Sequence, residues 1–469
     1  MHRMTGFDAL FLYDEAANEP QHTIKVAILG PGAAGRYSFH GAKQEVRARL
    51  AETPPFCWRA VRVPFDLHHP VWVDDPTIDI DHHVRRLGIP APGGRRELCE
   101  VVSEIAGTPL DPTKPLWEIW FLEGYEGGRI VAVLKMSHAL ADGESTRELL
   151  ERLLAENPTP RDEPVACGIS ALRRAPAPSR RRLLRDALRD LHRDLVHEIP
   201  RLYRAWRRAS AERRLEKALG RNLNPFRSPR HTFGGQLSRR RTFCFTTAAL
   251  ADARQIKAAF GVTLNDVILA VVAGAARRYL EQRKDLPAEP ILGSIAASIR
   301  TEEQRGTFGN RITTRFLRLP THVADPVERL RSAHEEAAIA KGKIASRRGR
   351  HLEQWIAALP PLLVKRLGPT MRLAARLTQV SGGVIVSNVA GPRRPLYAGT
   401  TPVENFISVG HMKYVAGLNV TVWSYADKLN FGIYACREAV PDAWPIAEAI
   451  EESFRELLAA TEVQRARAA

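Results

Sequence analysis

Residues 130–143, which read IVAVLKMSHALADG, constrain the fold of this chain more than any other stretch. The first seven are apolar apart from one lysine and include several β-branched side chains, a pattern typical of a buried or half-buried strand. Ser137 and His138 end the predicted strand, and Asp142 and Gly143 follow before leucines at helical spacing begin. The stretch therefore predicts a strand, a tight turn and a helix in direct succession.

The position of His138 suits proton transfer. A ring at the mouth of a strand is held in place by the backbone, and an imidazole can accept a proton at physiological pH. The pattern His-x-x-x-Asp-Gly is short, however, and a core histidine followed by a helix-capping aspartate gives the same pattern. The motif alone leaves a general base and a core histidine both open.

Length and composition set the outer limits of the fold. The chain has 469 residues, of which 44% are hydrophobic, so it can bury a large core, and we expect two or more domains. The N-terminus has the wrong pattern for a signal peptide, and no apolar run approaches the ~18 residues of a spanning helix. The five cysteines are scattered without a Cys-x-x-Cys pair, which indicates a reducing cytoplasm and argues against a zinc site or a disulfide framework.

Two patterns that could suggest a bound ligand are rejected. Residues 30–35, GPGAAG, match the dinucleotide fingerprint, but the predicted helix begins only after Ser38, so its N-terminus cannot hold a pyrophosphate at the glycines. We predict a plain loop there. The adjacent histidines at 68–69 and 82–83 lie in or beside predicted strands, where neighbouring side chains point to opposite faces. Neither pair is expected to chelate one ion, and we predict no metal site.

Strand and helix patterns are mixed in both halves, which predicts an α/β fold with mixed sheets. The predicted strands are residues 23–29, 58–63, 71–73, 78–83, 119–122, 130–136, 241–246, 291–299, 384–389, 418–425 and 429–434. The predicted helices are residues 39–50, 97–106, 145–156, 263–279 and 446–459. Turn residues at 126–128 join the strands on either side of them into a hairpin that delivers His138.

The middle of the chain is predicted to be a basic connection. Residues 157–179 carry five prolines and form a linker. Residues 171–222 hold 16 Lys and Arg against 6 Asp and Glu, so this stretch contributes +10 of the formal net charge of +17. Such a local charge suits an anionic membrane surface or a nucleic acid, but no nucleic-acid-binding signature accompanies it.

An amphipathic helical pattern lies in this connection, and we expect Pro200 to divide it into two helices. Its apolar stripe consists of Leu184, Leu188, Leu191, Leu195, Ile199, Leu202 and Trp206. The stripe has two interpretations that the sequence does not separate. It could pack against the second domain, or it could lie in a lipid interface with the neighbouring arginines on the headgroups.

Together, these landmarks resemble the bacterial wax ester synthase/diacylglycerol acyltransferase family over nearly the whole length of the chain. Each piece is short, but their order and spacing are specific. The pieces are Phe7-Asp8-Ala9, Pro115-Leu116-Trp117-Glu118, His138-x-x-x-Asp142-Gly143, Asn265-Asp266, Ser298-Ile299-Arg300, Gly309-Asn310-Arg311, Ser387-Asn388-Val389-Ala390-Gly391-Pro392, Ser424-Tyr425 and Val440-Pro441-Asp442. Two positions depart from the family: Ser137 replaces a usual first histidine, and Cys436 replaces a usual aspartate.

The resemblance implies two chloramphenicol acetyltransferase-like α/β domains with an active-site tunnel at their interface. The expected segments are an N-terminal domain at 1–156, a basic connection at 157–238 and a C-terminal domain at 239–469. The implied activity is transfer of a fatty acyl group from acyl-CoA to a lipid hydroxyl, either diacylglycerol or a fatty alcohol. No cofactor is expected besides acyl-CoA as co-substrate. The enzyme is expected in the cytoplasm, peripherally associated with a membrane or lipid droplets.

The resemblance also implies roles for individual residues. His138 is the expected general base, and Asn265 is a candidate donor to the oxyanion. The residues expected to support the site are Ser137, Asp142, Gly143, Asp266 and Arg300. Asp142 is expected to pair with Arg300 and hold the His138 turn, and orienting the His138 ring is the alternative.

Two other functions stay open on the sequence. Ser137 would permit a lipid-surface protein that keeps the fold and has lost turnover. A second possibility is an acyltransferase of the same fold that esterifies a polyketide or another small acceptor. CoA release from acyl-CoA in the presence of an alcohol tests the first, and acceptor preference tests the second.

Overall fold

The computed structural model describes residues 1–31, 37–75, 77–158, 178–218, 228–300, 306, 308–345, 359–378, 383–413 and 416–468. Within these residues the strands are β1 His2–Arg3, β2 His22–Leu29, β3 Trp58–Val61, β4 Val71–Asp74, β5 Val84–Gly88, β6 Trp117–Tyr125, β7 Arg129–Ser137, β8 Arg241–Ala249, β9 Ile291–Ser298, β10 Ile312–Leu319, β11 Val384–Ala390, β12 Tyr397–Ala398, β13 Thr401–Val409, β14 Leu418–Tyr425 and β15 Lys428–Cys436. The α-helices are α1 Gly6–Asp14, α2 Phe39–Arg49, α3 Ile80–His83, α4 Arg95–Gly107, α5 Gly143–Leu153, α6 Arg180–Ala218, α7 Leu250–Phe260, α8 Leu264–Gln282, α9 Pro326–Ala345, α10 Pro361–Thr378 and α11 Trp444–Ala468.

The first large sheet has the strand order β12-β13-β2-β7-β6-β5. Strands β6 and β7 form the predicted antiparallel hairpin, with Ile119 opposite Leu134, and β2 pairs with the other edge of β7. Alternate side chains of β2 and β7 point to opposite faces of the sheet. One face packs on α4, and the other packs on α2 and α5. The hairpin thus fixes the end of β7, a central strand of the sheet, and His138 follows directly after it.

The second large sheet has the order β10-β9-β11-β14-β15-β8. Helix α8 lies against this sheet and is surrounded by α7, α9 and α11. Because α8 is covered on nearly every side, its middle, residues 267–276, is apolar around the whole circumference. Its predicted start is confirmed: Thr263 is the N-cap and Asp266 completes a capping box.

Strand β13 crosses from the second half of the chain into the first sheet. It pairs antiparallel with β2, with Ser408 opposite Lys25. The backbone of β13 also approaches β15 so closely that a Cβ on Gly432 would overlap the carbonyl oxygen of Ser408. Glycine at that position therefore lets the two sheets meet. The domain limits predicted at 156 and 238 stay a prediction, and a division by chain position alone does not capture this exchanged strand.

Most predicted strands and helices are confirmed, with limits that shift by a few residues. The prediction of a strand over residues 78–83 is wrong. Residues Ile80–His83 form a helical turn, and the strand β5 begins only at Val84. The cause is Asp79, whose side chain accepts from the backbone N–H groups of Asp81 and His82 and caps the turn.

The prediction that Pro200 divides the basic connection into two helices is also wrong. Helix α6 runs through Pro200 without a break over 39 residues. A proline removes one backbone hydrogen bond, which does not end a helix whose bonds persist on both sides. The linker around 159–177, including Cys167, lies outside the described residues, as do 32–36 of the GPGAAG loop.

Helix α6 packs on the first half of the chain through a different face from the one predicted. Leu183 and Ala187 are buried, and Leu183 packs against Val71 and Val73 of β4. Leu188 of the predicted stripe is 56% exposed, whereas Leu184 and Leu191 are half-buried. The side chains of Leu195, Ile199, Leu202 and Trp206 lie outside the described part of the structure.

None of the described helices alone is long and apolar enough to cross a bilayer. The helices α7 and α8 meet the length and composition test only as a pair, and they are bent by 103° relative to each other. In this structure α8 is buried in the core of the second half.

Candidate active site

His138 directly follows β7, so the sheet fixes its backbone. Its N–H donates to the carbonyl oxygen of Gln21 at 2.9 Å, which extends the pairing between β7 and the chain before β2. The imidazole stacks on Phe11 with ring centroids 4.6 Å apart, and it meets His411 edge-on at 4.8 Å. Only 9% of His138 is exposed, and the residue lines a cavity of about 740 Å³ to which both halves of the chain contribute.

Asn310 binds both the backbone and the ring of His138. Its amide nitrogen Nδ2 donates to the carbonyl oxygen of His138 at 2.6 Å and to Oδ1 of Asp8 at 2.9 Å. Both partners are acceptors, so the amide nitrogen must face them and the amide oxygen must face the ring. That oxygen, Oδ1 of Asn310, lies 2.8 Å from Nδ1 of His138 and accepts its proton. The lone pair of the imidazole is therefore on Nε2.

The surroundings of His138 keep the ring neutral. Burial lowers the pKa of His138 to about 4; the hydrogen bond to Asn310 opposes this shift, and the ammonium of Lys25 adds to it. Burial also holds the pKa of His411 well below its ordinary value. Nε2 of His138 has no hydrogen-bond partner among the described residues. A neutral imidazole with a free lone pair at a cavity wall can accept a proton from a bound hydroxyl.

Asp142 binds Arg300 and not His138. Its Oδ2 accepts from Nη2 of Arg300 at 2.8 Å and from the backbone N–H of Arg311 at 2.9 Å, and the side chains of this ion pair are 1% and 2% exposed. Its Oδ1 accepts from the N–H of Ser145 at 2.9 Å and caps α5. The predicted contact with Arg300 is present. No hydrogen bond joins Asp142 to the His138 ring in the described part of the chain.

Two further predicted support residues lie beside these groups. A Cβ on Gly143 would lie 3.0 Å from Cγ2 of Val389 in β11, so a small residue suits the approach of α5 to the second sheet. Ser137 is buried in β7 opposite His22, and its Oγ accepts from the N–H of Ala139 at 3.2 Å.

The structure does not bring Asn265 and Asp266 to His138. Neither residue lines the cavity that contains His138. Asp266 instead lies 2.7 Å from Nδ1 of His334 and 3.4 Å from Nζ of Lys341. The amide nitrogen of Asn265 is buried without a hydrogen-bond partner among the described residues. A role for Asn265 at the oxyanion stays a prediction, and the described contacts of Asp266 are those of a helix start.

Three further observations concern possible metal ligands and the cysteines. No group of three or more His, Cys, Asp or Glu side chains is placed to hold a metal ion in the part of the chain that the structure describes. Cys436 accepts from the N–H of Ser238 at 3.3 Å and lies 3.3 Å from Oε2 of Glu438. The described cysteines, 57, 99, 244 and 436, are buried and free.

Sequence reasoning missed Asp8, Asn310, His411 and Lys25 as parts of the site. Asp8 and Asn310 both belong to motifs that carry the family resemblance, which was the available signal. They are 302 residues apart, however, and no local spacing rule connects them. Lys25 lies in the middle of an apolar strand pattern, where its single charge gave no indication of a cavity.

Comparison with known proteins shows the family and the fold. Residues 4–268 match the sequence model of the wax ester synthase/diacylglycerol acyltransferase catalytic domain, and residues 308–458 match that of the C-terminal domain of the same family. A putative diacylglycerol O-acyltransferase of Mycobacterium tuberculosis is 36% identical over 468 residues, covering 99% of this chain and 98% of the relative. A relative of the same description from Mycobacterium bovis is 30% identical over 467 residues, covering 97% and 99%.

Solved structures show the same architecture. The wax ester synthase/diacylglycerol acyltransferase of Marinobacter aquaeolei VT8 superposes with a TM-score of 0.68 at 24% identity, covering 98% of this chain and 100% of that one. The first condensation domain of the calcium-dependent antibiotic synthetase superposes with a TM-score of 0.60 at 16% identity, covering 98% and 96%. The fold is thus shared with both of these structures. The chain belongs to the wax ester synthase/diacylglycerol acyltransferase family, and it is an acyltransferase.

The Asp142→Ala variant should lose stability. Arg300 would keep a buried charge without its carboxylate, which typically costs about 3–5 kcal/mol, and α5 would lose its cap. Chemical denaturation should therefore show a lower free energy of unfolding. The control is Asp79→Ala, which removes an exposed helix cap without an ion pair and should cost only about 1 kcal/mol. If Asp142→Ala abolished activity at an unchanged unfolding midpoint, Asp142 would act in the chemistry instead.

The Asn310→Ala variant should lower kcat by at least about tenfold, because Nδ1 of His138 would lose the acceptor that fixes its proton. Steady-state kinetics with separate kcat and KM values measures the effect. Asn430→Ala serves as the control, because Asn430 is also buried but contacts Thr247 in the second sheet. A folded Asn310→Ala enzyme with the wild-type kcat would contradict the assigned tautomer.

Proposed function

We propose that this protein transfers a fatty acyl group from acyl-CoA to the hydroxyl of diacylglycerol or of a long-chain alcohol, with His138 as the general base. The observation that carries the proposal is the fixed proton on Nδ1, which leaves the lone pair of Nε2 free at the cavity. The names of the relatives favour diacylglycerol as the acceptor. No cofactor takes part, and acyl-CoA is the co-substrate.

The reaction balances with these groups alone. Nε2 of His138 removes the hydroxyl proton while the oxygen attacks the thioester carbonyl and forms a tetrahedral intermediate. Collapse of that intermediate breaks the carbon–sulfur bond, and the departing thiolate takes the proton back from Nε2. The products are an ester and free CoA, and His138 returns to its starting state. Asp142 and Arg300 hold the turn that carries His138.

The His138→Ala variant should remain folded and lose at least about 10²-fold in acyl transfer, because it lacks the base. Free thiol release from palmitoyl-CoA is measured with diacylglycerol, a long-chain alcohol and a small polar alcohol. His83→Ala is the matched control, since His83 is also buried in the first half but stacks on Trp117. Wild-type turnover in His138→Ala would refute the mechanism.

The same assay separates the other candidate functions. Release only with the small alcohol would indicate an acyltransferase for small acceptors. An absence of release with every acceptor, from a folded wild-type protein, would indicate a lipid-surface protein without turnover.

A lipid surface is the proposed location, because the acceptor and the product are insoluble. On α6, Leu188, Val196 and Tyr203 are 56%, 52% and 58% exposed, and their spacing places them on one side of the helix. The neighbouring arginines have exposed side chains and outnumber the aspartates they pair with: Arg182, Arg185 and Arg189 lie 3.6–3.7 Å from Asp186, and Arg193 lies 3.7 Å from Asp190. Exposed apolar residues beside cations suit an anionic interface, where each basic residue contributes about 1 kcal/mol.

Binding to vesicles that contain anionic lipid should therefore be salt-sensitive and should weaken when Leu188, Val196 and Tyr203 are replaced by Ser. Co-sedimentation with vesicles measures binding, and a melting curve confirms that the variant is folded. Val463→Ser is the control, since Val463 is 54% exposed on α11. Unaltered sedimentation of the folded triple variant would exclude this face as the contact.

A further inference from the structure

A second cavity of about 450 Å³ lies in the first half of the chain, between the sheet and the layer of α2 and α5. Ala27 and Leu29 of β2 and Ala132 and Leu134 of β7 form part of its floor. Most of its lining is apolar, and its volume lies in the usual range for ligand pockets. Ala27 and Ala132 are cross-strand partners, and their small side chains leave the floor open.

Lys25 is the one residue of the described chain that lines both cavities. Alternate residues of β2 point to the same face and lead from one cavity to the other. Thr23 lines the cavity of His138, Lys25 lines both, and Ala27 and Leu29 line the apolar one. The ammonium of Lys25 thus stands where the polar space of His138 meets the apolar space.

Among the described residues, no carboxylate balances the charge of Lys25. The residue is 4% exposed, and its Nζ donates to Oγ of Ser408 at 2.6 Å and lies 5.2 Å from the ring centre of Trp423. No carboxylate of the described residues forms an ion pair with it, whereas the buried Lys135 has Glu118 at 2.9 Å. Burial lowers the pKa of Lys25 to about 7. A buried cation of this kind is stabilised by an oxygen that arrives with a ligand.

We propose that the second cavity holds the fatty chain of the acyl donor and that Lys25 binds the carbonyl oxygen of its thioester. This inference rests on the proposed function. Arg147, Arg393 and Arg394 line the first cavity, where Arg147 pairs with Glu151 at 2.7 Å and Arg394 pairs with Glu156 at 3.4 Å. The phosphates of CoA would replace these carboxylates as partners of the guanidinium groups. A thioester carbon carries sulfur on one side and the chain on the other. A CoA head in the first cavity therefore directs the chain past His138 and Lys25 into the apolar space.

In this arrangement Lys25 contacts the atom on which charge develops. When the hydroxyl oxygen adds to the thioester carbon, the carbonyl electron pair moves onto the carbonyl oxygen, and the ammonium stabilises that oxyanion. The hydroxyl proton goes to Nε2 of His138. Re-formation of the carbonyl expels the thiolate, which takes the proton from His138. The developing oxyanion favours the charged form of Lys25, so Lys25 keeps its proton during the reaction and transfers none.

Larger side chains in the floor of the second cavity test whether the fatty chain lies there. Each methylene that enters an apolar cavity strengthens binding by about fourfold, so Ala27→Phe and Ala132→Phe should affect long donors selectively. We expect kcat/KM for palmitoyl-CoA to fall by at least about tenfold, and that for butyryl-CoA to stay within about twofold of the wild-type value. Ala27→Leu provides a smaller change if a phenylalanine variant fails to fold in a melting experiment.

A comparison of acceptors shows whether the second cavity binds the chain of the acyl donor or the chain of the acceptor. Decanol and hexadecanol are compared as acceptors at one donor length. The proposal predicts that the ratio of kcat/KM for the two alcohols is the same in the Ala27→Phe variant and in the wild-type enzyme. A change in acceptor preference with unchanged donor preference would assign the cavity to the acceptor instead. Unchanged preference for both would show that the cavity binds neither chain.

Substitution of Lys25 tests the oxyanion contact. Lys25→Met keeps the length of the side chain without the charge and should lower kcat by about 10²-fold or more at every donor length, with a smaller effect on KM. Lys25→Arg should recover part of that loss, which a purely structural role would not predict. Lys428→Met is the control, because Lys428 donates to the carbonyl of Glu404 away from both cavities. A folded Lys25→Met enzyme with wild-type kcat would overturn this part.

Direct binding distinguishes failure of this inference from failure of the proposed function. Isothermal calorimetry of the wild-type protein with butyryl-CoA and palmitoyl-CoA needs no turnover. Tighter binding of palmitoyl-CoA that is lost in Ala27→Phe supports the chain site even if no acceptor is esterified. Equal binding of both donors by the wild-type protein, together with CoA release in the assay, would refute the chain site and leave the proposed function intact.

Discussion

The side chain of Asn310 connects its own segment to Asp8 and His138, which are far apart in the sequence. These hydrogen bonds permit one orientation of the Asn310 amide. Its amide nitrogen meets two acceptors, the carboxylate of Asp8 and the carbonyl of His138, so its oxygen must face the ring. That choice places the ring proton on Nδ1 and the lone pair on Nε2. Because Asn310 precedes β10 of the second sheet and His138 follows β7 of the first, the tautomer depends on how the two halves meet.

The site concentrates buried polar groups, which cost stability wherever they lack partners. The fold satisfies most of them: Asp142 has Arg300, and Asp8 accepts from both the backbone and the side chain of Asn310. Lys25 differs, since its described partners are a hydroxyl and an indole ring. A buried group with a strongly shifted pKa beside a cavity is a candidate functional group, because a ligand in the cavity can supply the partner that the protein lacks.

The local part of the site could be predicted from the sequence, and the non-local part could not. The hairpin that delivers His138 follows from strand patterns on either side of a turn, and the start of α5 follows from Asp142. The link between Asp8 and Asn310 spans 302 residues, and the crossing of β13 into the first sheet has no local signal. Propensity also failed at Ile80–His83, where one capping side chain outweighed the strand pattern.

The departure at Ser137 is explained by the geometry of β7. Successive side chains of a strand point to opposite faces, so a residue just before His138 faces away from the cavity that His138 lines. Ser137 pairs with His22, whose Nε2 hydrogen-bonds the carbonyl oxygen of Ala106 in α4. Position 137 therefore belongs to the face that α4 covers. A histidine there would be buried beside His22. Serine at position 137 therefore leaves unchanged the hydrogen bonds that orient the His138 ring and the burial that keeps it neutral.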